Sequence, residues 1–79
     1  MAEMKEHERI VLTRGVPSEH LEAGDVGTVV HVCRDRLAYE VEFTTLDGRT
    51  AAVVTVDEQD LRPVRSREIT HARDLAAPS

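Results

Sequence analysis

Alternation of apolar and polar positions is clearest over Ala38-Tyr39-Glu40-Val41-Glu42-Phe43. Tyr39, Val41 and Phe43 fall on one face and Glu40 and Glu42 on the other, the mark of a strand wetted on one side. Thr28-Val29-Val30-His31-Val32-Cys33 is richer in β-branched residues and predicts the strongest strand of the chain. Its paired valines hide whether Val29 or Val30 faces inward. Arg9-Ile10-Val11-Leu12-Thr13 predicts a first strand and Thr50-Ala51-Ala52-Val53-Val54-Thr55-Val56 a fourth. Leu61-Arg62-Pro63-Val64 is short and holds a proline, which has no N–H to give a ladder, so it suits only an edge or closing strand.

The connections are legible from their turn residues. Gly15, Pro17, Ser18 and Gly24 punctuate a long first loop, in which Ser18 to Ala23 suits one helical turn ended by Gly24. Arg34-Asp35-Arg36-Leu37 joins the second strand to the third. Asp47-Gly48 is the dipeptide of a tight hairpin, and Asp57 to Asp60 suits a single 3₁₀ turn. The expected core draws on Ile10 or Val11, Leu12, Val29 or Val30, Val32, Tyr39, Val41, Phe43, Val53 or Val54, Val56 and Leu61.

These elements describe an all-β fold, a small five-stranded SH3-like barrel with a C-terminal tail or short helix. Such a wrap leaves few free strand edges. Residues 1–8 are charged, lack periodicity and are expected to be flexible. The barrel spans 9–64. Residues 65–79 form a tail, disordered or weakly helical with Ile69, Ala72 and Ala76 on one side, because short isolated helices are marginal in water.

Val11-Leu12-Thr13, Gly24-Asp25-Val26-Gly27-Thr28-Val29-Val30, Tyr39-Glu40-Val41-Glu42-Phe43 and Asp60-Leu61-Arg62-Pro63-Val64 together resemble a small bacterial domain-of-unknown-function family, numbered four-nine-two-six. The resemblance runs from about residue 9 to residue 64 and implies an SH3-like fold, with no activity to carry over. Gly24-x-x-Gly27-x-Val29 is also similar, more loosely, to the barrel of the nitrile hydratase β subunit and to KOW modules. That motif is mostly backbone chemistry, glycines easing a tight turn into a bent strand, and it does not transfer function.

Composition then narrows the function classes. The 79 residues carry 10 Lys+Arg against 15 Asp+Glu, a net charge of -5. The imbalance is uneven: residues 1–61 hold 6 basic and 13 acidic side chains, whereas residues 62–79 hold 4 basic and 2 acidic. An acidic barrel opposes a phosphate backbone, and with Tyr39 and Phe43 as its aromatics the chain offers no row of stacking platforms, so nucleic-acid binding is not expected. With no Trp it cannot line a polyproline groove. His7, His20, His31 and His71 lack metal-ligand spacing. Cys33 reads as a small core residue rather than a nucleophile, although His31 shares its strand face. No cofactor is expected, and the chain is too short to place a deep substrate pocket beside its core. The sequence lacks a run of about 20 apolar residues and an apolar N-terminal segment, so a cytoplasmic protein without a membrane anchor is expected.

The acidic surface is the remaining signal. Ordinary solubility explains part of it. The sharper reading is a non-catalytic protein–protein interaction module, an immunity or antitoxin protein that neutralises a basic toxin. Glu40, Glu42, Asp47, Asp57, Glu58 and Asp60 are its candidate partner-binding residues. The alternative is an accessory or escort module for an enzyme subunit, suggested by the nitrile hydratase likeness. The oligomeric state is left open.

Overall fold

The computed structural model describes residues 4–75. Five antiparallel strands form one sheet: β1 (Arg9–Leu12), β2 (Val26–Cys33), β3 (Ala38–Thr44), β4 (Thr50–Asp57) and β5 (Leu61–Pro63). Their spatial order is β4-β3-β2-β1-β5, so four consecutive strands meander and the fifth returns to pair with the first. Single 3₁₀ turns lie at Pro17–Glu19, Arg34–Arg36 and Glu58–Asp60. No helix among the described residues is long and apolar enough to cross a membrane. The predicted strands are all present, each within two residues of its expected ends.

β2 serves both halves of the sheet. Its start pairs with β1, Arg9 opposite Thr28 and Val11 opposite Val26, while its remainder pairs with β3. Between Val29 and His31 the register slips by one residue, leaving Val30 as a bulge. Val29 is consequently fully buried and Val30 is turned partly outward, which settles the ambiguity of the valine pair. A second slip at Phe43/Thr44 leaves Ala51 as the extra residue on β4.

The core gathers Ile10, Leu12, Val29, Tyr39, Val41, Phe43, Ala52, Val56 and Leu61 on the inner face of the sheet. Val11 is buried as well, outside that cluster, so both members of the Ile10/Val11 alternative are interior. Val53 is 53% exposed and Val54 packs against the core, so the second valine pair resolves toward Val54.

Two core residues come from segments expected to lie outside it. Leu21 enters from the first loop, whose ends are tied by a bridge: Val16 and Leu21 exchange N–H···O=C bonds of 2.9 and 3.1 Å. The helical turn expected over Ser18 to Ala23 is shorter and earlier, Pro17–Glu19, and is closed by His20 in the left-handed region at φ 61°.

The N-terminus departs further from expectation. Met4 is only 6% exposed, and its N–H donates to the Tyr39 hydroxyl at 3.3 Å. The His7 N–H donates to the Val29 carbonyl at 2.7 Å, and the Val29 N–H donates to the Glu8 carbonyl at 2.9 Å. Residues 4–8 are thus part of the folded unit, because their backbone finds acceptors and donors on β2 that periodicity cannot reveal.

Of the expected tail, residues 65–75 form neither helix nor strand, and residues 70–75 lie against the first loop and the β3–β4 hairpin. Residues 1–3 and 76–79, which include Ala76 of the expected helical face, lie outside the described residues.

Candidate functional site

Strand alternation and the β3–β4 register place three of the six candidate acids together. Tyr39, Val41 and Phe43 point inward, so Glu40 and Glu42 lie on the outer face of β3. Across the β3–β4 ladder Glu40 stands opposite Thr55, Glu42 opposite Val53, and Ala38 opposite Asp57. On the β2 side His31 is paired with Glu40 and Thr28 with Glu42. The outer face of β2–β4 therefore presents Glu40, Glu42 and Asp57 among His31, Thr28, Thr55 and the exposed Val53. Glu42 is steadied by the Thr50 hydroxyl, which donates to its carboxylate at 2.6 Å.

The other three candidates lie at the ends of this face. Asp47 sits in the β3–β4 turn, where it accepts from the Thr45 hydroxyl and lies 3.6 Å from the Arg49 guanidinium. Gly48 takes φ 90°, a conformation open to glycine without strain, as Asp47-Gly48 predicts. Glu58 and Asp60 occupy the 3₁₀ turn before β5, at the end where Asp57 finishes β4. The six acids thus form a central group of three with outliers at both ends.

Cys33 closes β2, buried and free, opposite Ala38. His31 is exposed, and with Cys33, Asp35 and Glu40 it lines a shallow, open depression. Among the described residues no three His, Cys, Asp or Glu side chains converge as metal ligands. Both aromatic rings are interior: Tyr39 and Phe43 are each 3% exposed and offer no stacking face to solvent.

A further cluster was missed in the sequence. Arg73 of the tail ion-pairs with Asp25 in the first loop, and upstream Arg62 and Glu68 pair at 2.6 Å. Burial works against ionisation of Asp25, yet hydrogen bonds from Arg73 and the Glu22 N–H, with the Arg73 charge, hold its carboxyl below the usual value. Glu68 accepts from both Arg62 terminal nitrogens, at 3.0 and 2.6 Å, and from the Arg65 N–H at 2.6 Å. Those bonds lower its pKa from 4.5 to about 2.

A pKa depressed by folding means the contribution is whole above the unfolded value and disappears as pH falls through the folded one. The Arg62–Glu68 contact is therefore expected to persist at pH 4 and loosen toward pH 2. In an NMR titration the Arg65 amide should shift with a midpoint near 2, and that shift should vanish in E68Q. A midpoint near 4.5 would show that the contact does not hold the tail in solution.

Comparison with curated proteins and with solved structures finds no match. The sequence model of one family matches residues 6–63, from the N-terminal segment on β2 through β5, and is described as Domain of unknown function (DUF4926).

Proposed function

The chain belongs to that family of unknown function, and from this premise we propose that it is a non-catalytic cytoplasmic module that binds a basic protein surface. The observation that carries this reading is the grouping of Glu40, Glu42 and Asp57 on one outer face of β3 and β4. The 13 acidic against 6 basic side chains of residues 1–61 extend the negative field around it. Such a field steers a positive partner into register and speeds encounter more than it adds contact energy. The exposed Val53 and Thr55 between the acids supply the less polar ground a packed interface needs.

In its most specific form the module is an immunity or antitoxin protein whose carboxylates occupy the phosphate sites of a basic toxin such as a nuclease. Burial of both aromatic rings supports a protein rather than a nucleic-acid partner. The escort reading gains nothing further here, because Gly24 and Gly27 have structural tasks: a positive φ at one and room for the Val41 and Phe43 side chains at the other.

The test is affinity purification from the native organism, followed by titration of the identified partner against the wild type and E40Q/E42Q/D57N. The triple variant is expected to bind at least about tenfold more weakly, with a flatter salt dependence, since screening acts on charges it no longer has. Equal affinity would overturn the assignment of this face. Salt-sensitive binding of the wild type to duplex or single-stranded nucleic acid near physiological ionic strength would overturn the partner class.

A further inference from the structure

Between the first loop and the β3–β4 hairpin runs a groove lined on one side by Leu21, Val26, Phe43 and Thr44 and on the other by residues 70–75 of the tail. At this groove Asp25 takes the Arg73 guanidinium in a two-pronged grip: Nε donates to Oδ1 at 2.9 Å and Nη2 to Oδ2 at 2.5 Å. Nη2 also donates to the His20 carbonyl at 2.9 Å, and the Glu22 carboxylate lies 3.6 Å from Nη1.

The receiving side is organised by the loop itself. The Glu22 N–H donates to Asp25 Oδ2 at 2.9 Å, and the Asp25 N–H donates to the Glu22 carbonyl at 3.1 Å. Two parallel bonds and a third to a carbonyl match the planar fork of arginine and not the single point charge of lysine.

The occupant is held much less well than the site. Val64 is the last residue whose backbone bonds to the sheet, its N–H donating to the Arg9 carbonyl at 3.3 Å. Beyond Glu68 the tail makes no backbone–backbone hydrogen bond among the described residues, and the Asp74 carbonyl accepts only from the Arg73 side chain. Ile69 is 95% exposed, so the apolar side chain nearest the centre of the tail adds almost nothing. Past the Arg62–Glu68 pair at the start of the tail, Arg73 is the residue that ties the segment to the first loop.

We propose that the Asp25 carboxylate and His20 carbonyl beside this groove are an arginine-recognition site, that Arg73 occupies it in cis, and that lifting the tail opens it to the arginine of a partner peptide. Charge argues for that occupant: the body of the chain is acidic, and its own basic tail is the nearest analogue of a segment such a body attracts. The inference rests on the proposed function for the existence of a basic partner, and deepens it by naming the residue recognised and a device that holds the site shut. Apparent affinity for the partner is then the intrinsic affinity multiplied by the fraction of chains with the tail lifted.

The probe is a labelled peptide of residues 68–75, Glu-Ile-Thr-His-Ala-Arg-Asp-Leu, titrated by fluorescence anisotropy against the full-length wild type, R73A and R73A/D25N. R73A is expected to bind it at least roughly tenfold more tightly than the wild type. Adding D25N should return binding to background, and a peptide with lysine in place of its arginine should bind R73A about fivefold more weakly or worse. The lysine peptide tests the same contact should the double variant fail to fold.

Equal binding by wild type and R73A would overturn the latch. Equal binding of the arginine and lysine peptides, or by R73A and R73A/D25N, would overturn the site. A concentration-dependent dimer of the wild type on sizing chromatography would show tails exchanged between copies, and would overturn the assignment to a separate partner. Adding E40Q/E42Q/D57N to R73A should leave peptide binding unchanged, so failure of the sheet-face reading and failure of this one are read separately.

Discussion

Phe43→Ala is expected to remove a large share of the domain's stability. The ring is 3% exposed and belongs to the central cluster with Tyr39, Val41 and Ala52. With Tyr39 it is one of only two aromatic rings in the chain, so no neighbour of similar bulk can swing in to refill the space. Removing a buried phenyl group costs about 3–5 kcal/mol, combining lost transfer energy with the cavity left behind. A domain of this length has about 4–12 kcal/mol to lose. Urea denaturation followed by circular dichroism should show the midpoint collapse, and a midpoint equal to the wild type's would remove Phe43 from the core.

The second large effect is expected at Gly27, on the opposite side of the same contact. A β-carbon there would lie 2.5 Å from Val41 Cγ1 and 2.7 Å from Phe43 Cε2. Its backbone has no special dihedral, so the requirement is purely steric. Gly27→Ala is expected to cost about 1–3 kcal/mol by overpacking, and Gly27→Val more. The cause is separable from general damage. Gly27→Ala combined with Phe43→Leu should be less destabilised than the sum of the single changes by at least about 0.5 kcal/mol, since the smaller side chain vacates the clash. Additive losses in thermal melts would show that the two residues do not compete for one space.

Strand content was legible because alternation survives wherever polar residues mark the outer face, as Glu40 and Glu42 do on β3. It failed at Val29-Val30 because a bulge breaks the period there, and a valine pair carries no polar marker to show it. Met4 and Leu21 were missed for a different reason. Each is a single apolar residue among polar neighbours: Met4 is tied to the Tyr39 hydroxyl 35 residues away, and Leu21 is turned inward by a bridge to Val16 that periodicity does not mark. Of the candidate site, the common face of Glu40 and Glu42 follows from alternation alone, whereas Asp57 joins them only through the β3–β4 register. The Arg73–Asp25 contact had one faint trace, the reversal of charge sign after residue 61. With four basic side chains in that stretch and thirteen acids before it, charge could not choose the pair.

The return of β5 to β1 sets the order in which the chain can assemble. β2, β3 and β4 are joined by short turns, so their pairings are local and need little loop closure. Pairing Ile10 with Pro63 instead encloses about two thirds of the chain between its partners. On the logarithmic dependence of closure entropy on loop length, that step costs about 2 kcal/mol more than closing the β3–β4 hairpin. The three-residue β5 gives few hydrogen bonds in return. The meander is the natural nucleus and the β1–β5 seam the last part to close, so weakening the seam chiefly hastens unfolding while weakening the hairpin slows folding. The tail emerges directly from that seam at Val64. The segment that latches the groove is thus tethered to the least secure pairing in the sheet.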